Sequence, residues 1–185
     1  MNLKIFNIRD AIINLEEIKK LYEEAFPKVE RYDFEYLIKK NELDDVNFEV
    51  IYDNTDLVAI LFTVIQDDIL YIQYIAVNSN LRGKGYGSAI LDLVKEKYAK
   101  YTIILEIEEI DKAAENYMQR IKRKNFYEKN GFVSTNKTIK KGKNVLEIMT
   151  TNKDVIVDTK LCINIFKKVA NPFTKLIAPF IIKVI

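Results

Sequence analysis

Glycines recur at alternate positions just after an apolar run, in the stretch RGKGYGS that begins at Arg82. Gly83, Gly85 and Gly87 are three of the five glycines in this 185-residue chain. Because glycine enters φ > 0 conformations and lets a ligand approach the backbone, this spacing predicts a turn whose N–H groups point outward together. The following residues have helical periodicity, which places those groups at the positive end of a helix dipole. The stretch is therefore predicted to bind an anion, usually a phosphate, with Lys84 adding charge beside it.

Two common phosphate-binding loops do not fit this spacing. A dinucleotide fingerprint requires G-x-G-x-x-G, and a Walker A loop requires a Lys-Ser/Thr pair directly after its last glycine. The chain instead has the pattern Arg82-x-x-Gly85-x-Gly87, directly after a predicted strand that ends at Ala76-Val77. A tight turn between strand and helix, without a ligand, is the alternative interpretation.

Two carboxylates lie on the next predicted strand, which reads TIILEIE. Its period of two puts Glu106 and Glu108 together on the face opposite the apolar one. Two close carboxylates raise one another's pKa, so these residues are candidates for a general base. We favour Glu106 because it lies nearer the centre of the strand. Solvated or salt-bridged glutamates are the alternative.

A second motif, FYEKNGF, begins at Phe126 and closes a predicted helix with a glycine stop of the Schellman type. With the Arg82 loop, it resembles the GCN5-related N-acetyltransferase (GNAT) superfamily, in which a helix carrying F-Y-x-x-x-G-F follows the fifth strand. Both motifs occur in the expected order, separated by the expected strand, and the resemblance extends from about residue 3 to residue 150. Arg123 is a departure, because the family often has a small residue at that position.

The resemblance implies a co-substrate and a set of site residues. It implies acetyl-coenzyme A as acyl donor, with Tyr127 close to its sulfur as the general acid. The pantetheine arm and the thioester carbonyl would contact backbone groups of Ile75, Ala76 and Val77. The pyrophosphate would bind Arg82, Gly83, Lys84, Gly85, Tyr86, Gly87 and Ser88. The acceptor pocket is expected around Glu30 and Arg31, with Glu108 also contacting substrate, although ordinary loop charges are an alternative for the first two.

Composition excludes several other classes of protein. The chain has 29 basic and 27 acidic residues, a near balance that argues against nucleic-acid binding through a strongly basic surface. It has no histidine and only Cys162 as a cysteine, so a His-based triad, a disulfide framework and most metal sites are not expected. The first ten residues are interrupted by charges and do not resemble a signal peptide, so a cytoplasmic location is expected.

The order of predicted elements is β-α-α-β-β-β-α-β-α-β-β, a mixed α/β arrangement without internal repeats. It predicts a GNAT-like acyltransferase domain over residues 1–150. Residues 151–185 form a C-terminal amphipathic helical extension, with Asp158 as a helix N-cap and an apolar stripe that continues to Ile185. This stripe is expected to pack on its own domain or on a second subunit, as in a homodimer. A membrane is the less favoured partner, although lysines opposite the stripe also fit an interfacial membrane helix.

Three functions remain open from the sequence. The leading one is an acetyl-CoA-dependent N-acetyltransferase that transfers the acetyl group directly to a primary amine of a small molecule or a protein. The second is a non-catalytic acyl-CoA-binding or regulatory domain with the same fold. The third is an interaction protein that works through its C-terminal amphipathic segment. Under this hypothesis the protein would not bind coenzyme A.

Overall fold

The computed structural model describes residues 1–10, 14–141 and 144–185. Its strands are β1 (Leu3–Asn7), β2 (Val46–Asp53), β3 (Asp56–Gln66), β4 (Ile69–Val77), β5 (Thr102–Glu108), β6 (Val133–Lys141), β7 (Asn144–Thr150) and β8 (Ile182–Val184). Its α-helices are α1 (Leu15–Ala25), α2 (Phe34–Lys40), α3 (Tyr86–Lys97), α4 (Tyr117–Lys129), α5 (Thr159–Val169) and α6 (Pro172–Ile181), and a 3₁₀ turn spans Ser79–Leu81. The strands form a mixed sheet in the order β1-β2-β3-β4-β5-β7-β6-β8. The mixed α/β fold is confirmed.

The chain divides into two compact units. Unit 1 comprises residues 1–64 and 72–98, and unit 2 comprises residues 65–71 and 99–185. The sequence-based boundary at residue 150 stays a prediction. The residues after it belong to unit 2.

Unit 1 is built on the antiparallel strands β1, β2 and β3. The β2–β3 hairpin closes where Asp53 pairs with Asp56, and Asn54 adopts a φ of +56° in the turn, a conformation that Asn tolerates. Every residue of β3 from position 57 to position 64 is buried, so both faces of this strand are covered. Helix α3 is anchored to β2 because Lys97 and Tyr98 both donate to the buried carboxylate of Glu49.

Helix α4 lies on one face of the strands of unit 2. Ile107 pairs with Glu147, so both side chains lie on one face, and Glu147 there accepts from Lys124 of α4 at 2.7 Å. Glu106 is the neighbour of Ile107 in the strand and therefore faces the other way. On that second face its carboxylate pairs with Lys141 of β6. Glu147 and Glu106 therefore lie on opposite faces of the sheet in this unit.

Helix α4 ends in the predicted glycine stop. Gly131 has a φ of +82°. The N–H of Phe132 donates to the carbonyl of Tyr127, and the N–H of Gly131 donates to the carbonyl of Glu128. This is the double bond pattern of the Schellman motif. The rings of Tyr127 and Phe132 also contact, with centroids 5.6 Å apart, so the motif fixes the position of Tyr127.

The C-terminal segment corrects one expectation. Asp158 caps α5 as predicted, accepting from the N–H of Leu161 at 2.7 Å. The helical stripe does not continue to Ile185, however, because α6 ends at Ile181 and β8 pairs with β6. The run IIKVI is rich in β-branched residues, and the free edge of β6 supplies backbone partners that a helix end lacks. None of the helices in the described part of the chain is long and apolar enough to cross a membrane.

The sequence predicts that the strands on either side of residues 140–143 form a hairpin with its turn at those residues. Positions 142 and 143 of this turn lie outside the described residues.

Candidate functional site

The glycine loop adopts the backbone conformation that its sequence predicts. Gly83 and Gly85 have φ values of +76° and +84°, in the left-handed region that favours glycine. Gly85 is the N-cap of α3, and Gly87 lies in the first helical turn. The first N–H groups of an α-helix have no intrahelical acceptor, so those after Gly85 are available to an anion. A β-carbon at Gly83 would project into open space, so backbone conformation rather than crowding requires glycine there.

Asn78 fixes the start of this loop and was missed in the sequence. Its backbone N–H donates to Val58 at 2.8 Å, and its side-chain amide donates to the carbonyl of Leu57 at 3.3 Å. Its side-chain oxygen also accepts from the N–H of Asn80 at 3.1 Å, which caps the 3₁₀ turn. The signal for it was an Asn directly after a strand, a common cap residue.

Asp53 holds the loop from the other side and was also missed. It accepts from the hydroxyl of Tyr86 at 2.8 Å and from the backbone N–H of Asn2 at 2.8 Å. The Asn2 hydrogen bond, followed by that of Tyr86, lowers the pKa of Asp53, while the bond to Asp53 raises the pKa of Tyr86. The side chain of Tyr86 is thus engaged in positioning the first helical turn.

The predicted acceptor loop is joined to β4 within unit 1. On β4, Ala76 is buried while Ile75 and Val77 are half-buried. The hydroxyl of Tyr74, from the same strand, donates to the carbonyl of Glu30 at 2.9 Å. The Glu30 side chain is exposed. The loop that carries Glu30 is therefore positioned through its backbone.

Arg31 has a structural role that the sequence did not reveal. Its guanidinium donates to the carbonyls of Glu23 at 2.7 Å and Phe26 at 3.3 Å, at the C-terminal end of α1. It also pairs with the Glu23 carboxylate at 3.6 Å. A cation at this end complements the helix dipole and satisfies terminal carbonyls. A substrate contact by Arg31 stays a prediction and would compete with these bonds.

Tyr127 lies in the last turn of α4, in unit 2. Its ring makes edge contacts with Phe126 and Phe132, and the side chain is half-buried. The hydroxyl has no hydrogen-bond partner among the described residues. Burial raises the pKa of Tyr127, and the charge of Arg123 lowers it in part. The hydroxyl is therefore protonated at neutral pH and free to donate.

Glu106 is paired rather than free. Both of its oxygens accept from Nζ of Lys141, at 2.8 and 2.7 Å, and only 10% of its side chain is exposed. Lys141 also donates to the hydroxyl of Tyr71 at 3.3 Å. One lone pair on each carboxylate oxygen is therefore occupied by an internal ammonium group.

Glu108 is paired as well, and the expectation that its pKa is raised by Glu106 is wrong. Asn116 donates to its carboxylate at 2.8 Å, and it forms ion pairs with Arg120 and Arg123. Burial by itself raises the pKa of Glu108, but the Asn116 hydrogen bond and the two arginine charges outweigh burial and lower it. Arg123, the departure from the family pattern, thus links α4 to the end of β5. In the described part of the chain, no three His, Cys, Asp or Glu side chains form a metal-binding group.

Comparisons with known proteins identify a family model and solved structures that resemble this chain. Residues 44–134 match the family model described as an acetyltransferase (GNAT) domain. A putative GNAT-family acetyltransferase from Bacteroides thetaiotaomicron is 22% identical, with a TM-score of 0.65 over 86% of this chain and 90% of that chain. A GNAT family acetyltransferase from Elizabethkingia anophelis with acetyl-CoA bound is 16% identical, with a TM-score of 0.57 over 82% and 98% of the two chains. Naa50 from Arabidopsis thaliana, in complex with the bisubstrate analogue CoA-Ac-MVNAL, is 22% identical, with a TM-score of 0.57 over 82% and 99%.

No curated protein matches the chain. The structural likenesses show the fold, and the family match includes the glycine loop and the FYEKNGF motif. Residues 44–134, just under half of the chain, therefore match the GNAT acetyltransferase domain, and the solved structures show the same fold over more than four-fifths of the chain.

Proposed function

We propose that the protein is an acetyl-CoA-dependent N-acetyltransferase that transfers the acetyl group directly to a primary amine of a small molecule or a protein. The observation that carries this proposal is the loop of Gly83 and Gly85, held at positive φ where α3 begins. Such a loop presents several N–H groups to one anion. Within a GNAT domain, the pyrophosphate of coenzyme A is the anion that fits.

The co-substrate would bind mainly through backbone groups. The pyrophosphate would accept from N–H groups between Gly83 and Ser88, with Arg82 and Lys84, both exposed, adding charge. The strand end of β4 at residues 75–77 would pair with the pantetheine arm as an added strand pairs with a sheet edge. The acetyl-CoA bound to the Elizabethkingia relative and the bisubstrate analogue bound to Naa50 support the same co-substrate here.

The reaction needs few groups from the protein. The neutral amine attacks the thioester carbonyl carbon and a C–N bond forms. The C–S bond then breaks to release the thiolate of coenzyme A, and the extra proton on the new amide nitrogen leaves to water, from which Tyr127 recovers the proton that it donates. Tyr127 would donate its proton to that thiolate, and the raised pKa keeps this proton in place at neutral pH until the thiolate forms. Backbone N–H groups of β4 would stabilise the negative charge on the carbonyl oxygen.

A base must remove the proton of an ammonium substrate, and Glu106 is our candidate. Its pairing with Lys141 complicates the usual substitution, because Glu106→Gln would also leave a mostly buried ammonium group unpaired. The double variant Glu106→Gln/Lys141→Met removes both charges together. If Glu106 is the base, acetylation stays low in the double variant although its thermal stability recovers from that of the single variant. If the double variant recovers activity together with stability, Glu106 is only the partner of Lys141.

The pairing of both candidate bases favours one alternative function. A domain whose Glu106 and Glu108 are both neutralised by internal cations could bind acyl-CoA without turning over an acceptor. If this alternative holds, the protein binds acetyl-CoA but releases no free thiol when amines are present.

Calorimetric titration of acetyl-CoA tests the proposal. We expect micromolar binding that is lost in Gly85→Glu, which places a side chain and a negative charge in the loop. Val29→Glu is the matched control, because Val29 is 93% exposed and gains the same charge outside the loop. Release of free coenzyme A thiol is then measured with a panel of small amines and peptide N-termini as acceptors. Thiol release distinguishes the enzyme from the non-catalytic domain. Absence of acetyl-CoA binding in the unmodified protein would overturn both.

A further inference from the structure

Helix α6 presents apolar side chains outward. Phe173, Leu176 and Phe180 are 70%, 75% and 87% exposed. Their spacing of three and four residues puts them on one side of the helix, and we call these three residues the C-terminal patch. The two phenylalanines by themselves expose on the order of 300 Å² of apolar surface. A contiguous apolar patch of a few hundred Å² is as large as any that a typical monomer exposes, and such patches are often functional.

The outward orientation of the patch is imposed by the rest of unit 2. Ala178, on the other side of α6, is fully buried, and so is Ile182 directly after the helix. Asn171 caps the helix by accepting from the N–H of Thr174 at 2.9 Å. Strand β8 then ties the chain to β6. The helix is therefore docked through its small residue, with its large apolar residues left facing outward.

The charge around the patch has one sign. Residues 159–185 contain no Asp or Glu, and their lysines are Lys160, Lys167, Lys168, Lys175 and Lys183. The whole chain has a net charge of +2, so the residues before this segment are net negative. Lys160, Lys175 and Lys183 are exposed. An apolar face flanked by lysines is the composition of segments that lie in the interface of an anionic bilayer.

We propose that the C-terminal patch docks the protein on a membrane surface rich in anionic lipid. The aromatic and aliphatic side chains would enter the boundary between headgroups and acyl chains, and Lys175 and Lys183 would contact lipid phosphates. A second copy of this chain fits less well, because two copies meeting at this patch would bring their lysines together without acidic partners. This inference does not depend on the proposed transferase activity.

Vesicle flotation of the full chain tests the inference. The probes are vesicles of pure phosphatidylcholine and vesicles with about one-third phosphatidylglycerol. We expect flotation only with the anionic vesicles, and we expect added salt to weaken it. Phe173→Ser/Phe180→Ser should reduce binding by at least tenfold through lost apolar contact, and Lys175→Gln/Lys183→Gln should reduce it about thirtyfold through lost charge. Because all four side chains are exposed, circular dichroism of these variants should match that of the unmodified protein.

The matched control is Lys28→Gln/Val29→Ser, which changes an exposed lysine and an exposed apolar residue outside the segment. It should float like the unmodified protein. Failure of the unmodified protein to float with anionic vesicles would overturn the proposal, and so would equal flotation of the Phe173→Ser/Phe180→Ser variant. A dimer that dissociates in that variant, without any lipid binding, would assign the patch to a second copy instead.

Discussion

Substitution of Gly85 by residues that tolerate positive φ to different degrees tests whether the glycine loop needs this backbone conformation to bind acetyl-CoA. Gly85 has a φ of +84°, and a β-carbon there would meet only the side-chain end of Met1, at 3.6 Å. Steric crowding inside the protein is therefore slight, and the cost of a side chain comes from the dihedral angle. That cost is about 1–2 kcal/mol for an ordinary L-residue and is smaller for Asn.

This strain must be expressed in one of two measurable quantities. If the loop keeps its positive φ, the free energy of unfolding falls. If the loop relaxes instead, acetyl-CoA must restore the conformation, and a cost of about 1–2 kcal/mol weakens binding roughly 5-fold to 30-fold. We therefore expect the sum of the two losses to be about 1–2 kcal/mol in Gly85→Ala, larger in Gly85→Val because Val is β-branched, and smallest in Gly85→Asn.

Urea unfolding and calorimetric titration of acetyl-CoA measure the two quantities on the same protein. Gly131→Ala is the control, because Gly131 has a nearly identical φ of +82° and no atom within 4 Å of a β-carbon there, but closes α4 instead of the loop. Its loss should appear mainly in unfolding, and any loss of acetyl-CoA affinity through Tyr127 should be smaller than that of Gly85→Ala. A Gly85→Val protein that loses neither stability nor affinity would refute the reasoning. Equal losses of affinity with Asn, Ala and Val would show that the ligand needs space at Gly85 rather than its φ.

Four further predictions follow from individual contacts. Tyr127→Phe should lower kcat by about 10²-fold or more and change the melting temperature little, because the hydroxyl has no partner among the described residues; an unchanged kcat removes it from the mechanism. Tyr98→Phe should cost about 2 kcal/mol in urea unfolding, since Glu49 is 2% exposed and loses a donor at 2.8 Å; an unchanged midpoint would show that Glu49 is satisfied without it. The pKa of Glu108 is lower in the folded than in the unfolded protein, so its carboxylate stabilises the fold at pH values above the unfolded pKa of about 4.3. This stability is lost as the pH falls through the folded pKa. Glu108→Gln should therefore flatten the acid limb of a curve of unfolding free energy against pH. Burial raises the pKa of Cys162 to about 12, so alkylation at pH 8 should be far slower than for a free thiol and should become fast in urea.

The sequence was sufficient for the features that depend on neighbouring residues. Gly83 and Gly85 were predicted to turn the chain at positive φ, and Gly131 to end α4, because only glycine adopts this conformation at low cost. Alternation placed Glu106 on the face opposite Ile107, since successive side chains of a strand point to opposite faces. The order of strands and helices up to residue 150 follows from the same periodicities.

The partners of these residues could not be read from the sequence, because they come from distant parts of the chain. Lys141 pairs with Glu106 across 35 positions, and Asp53 holds Tyr86 across 33. Strand pairing decided that the last residues form β8, because the open edge of β6 stabilises an extended chain where helical spacing alone predicted a helix. Packing decided which side of α6 faces outward, since a helix stripe shows which residues share a side but not which side meets the core. Local chemistry thus determined the glycine loop and the order of the elements, and only the tertiary structure determined which charges are paired and which apolar surface is exposed.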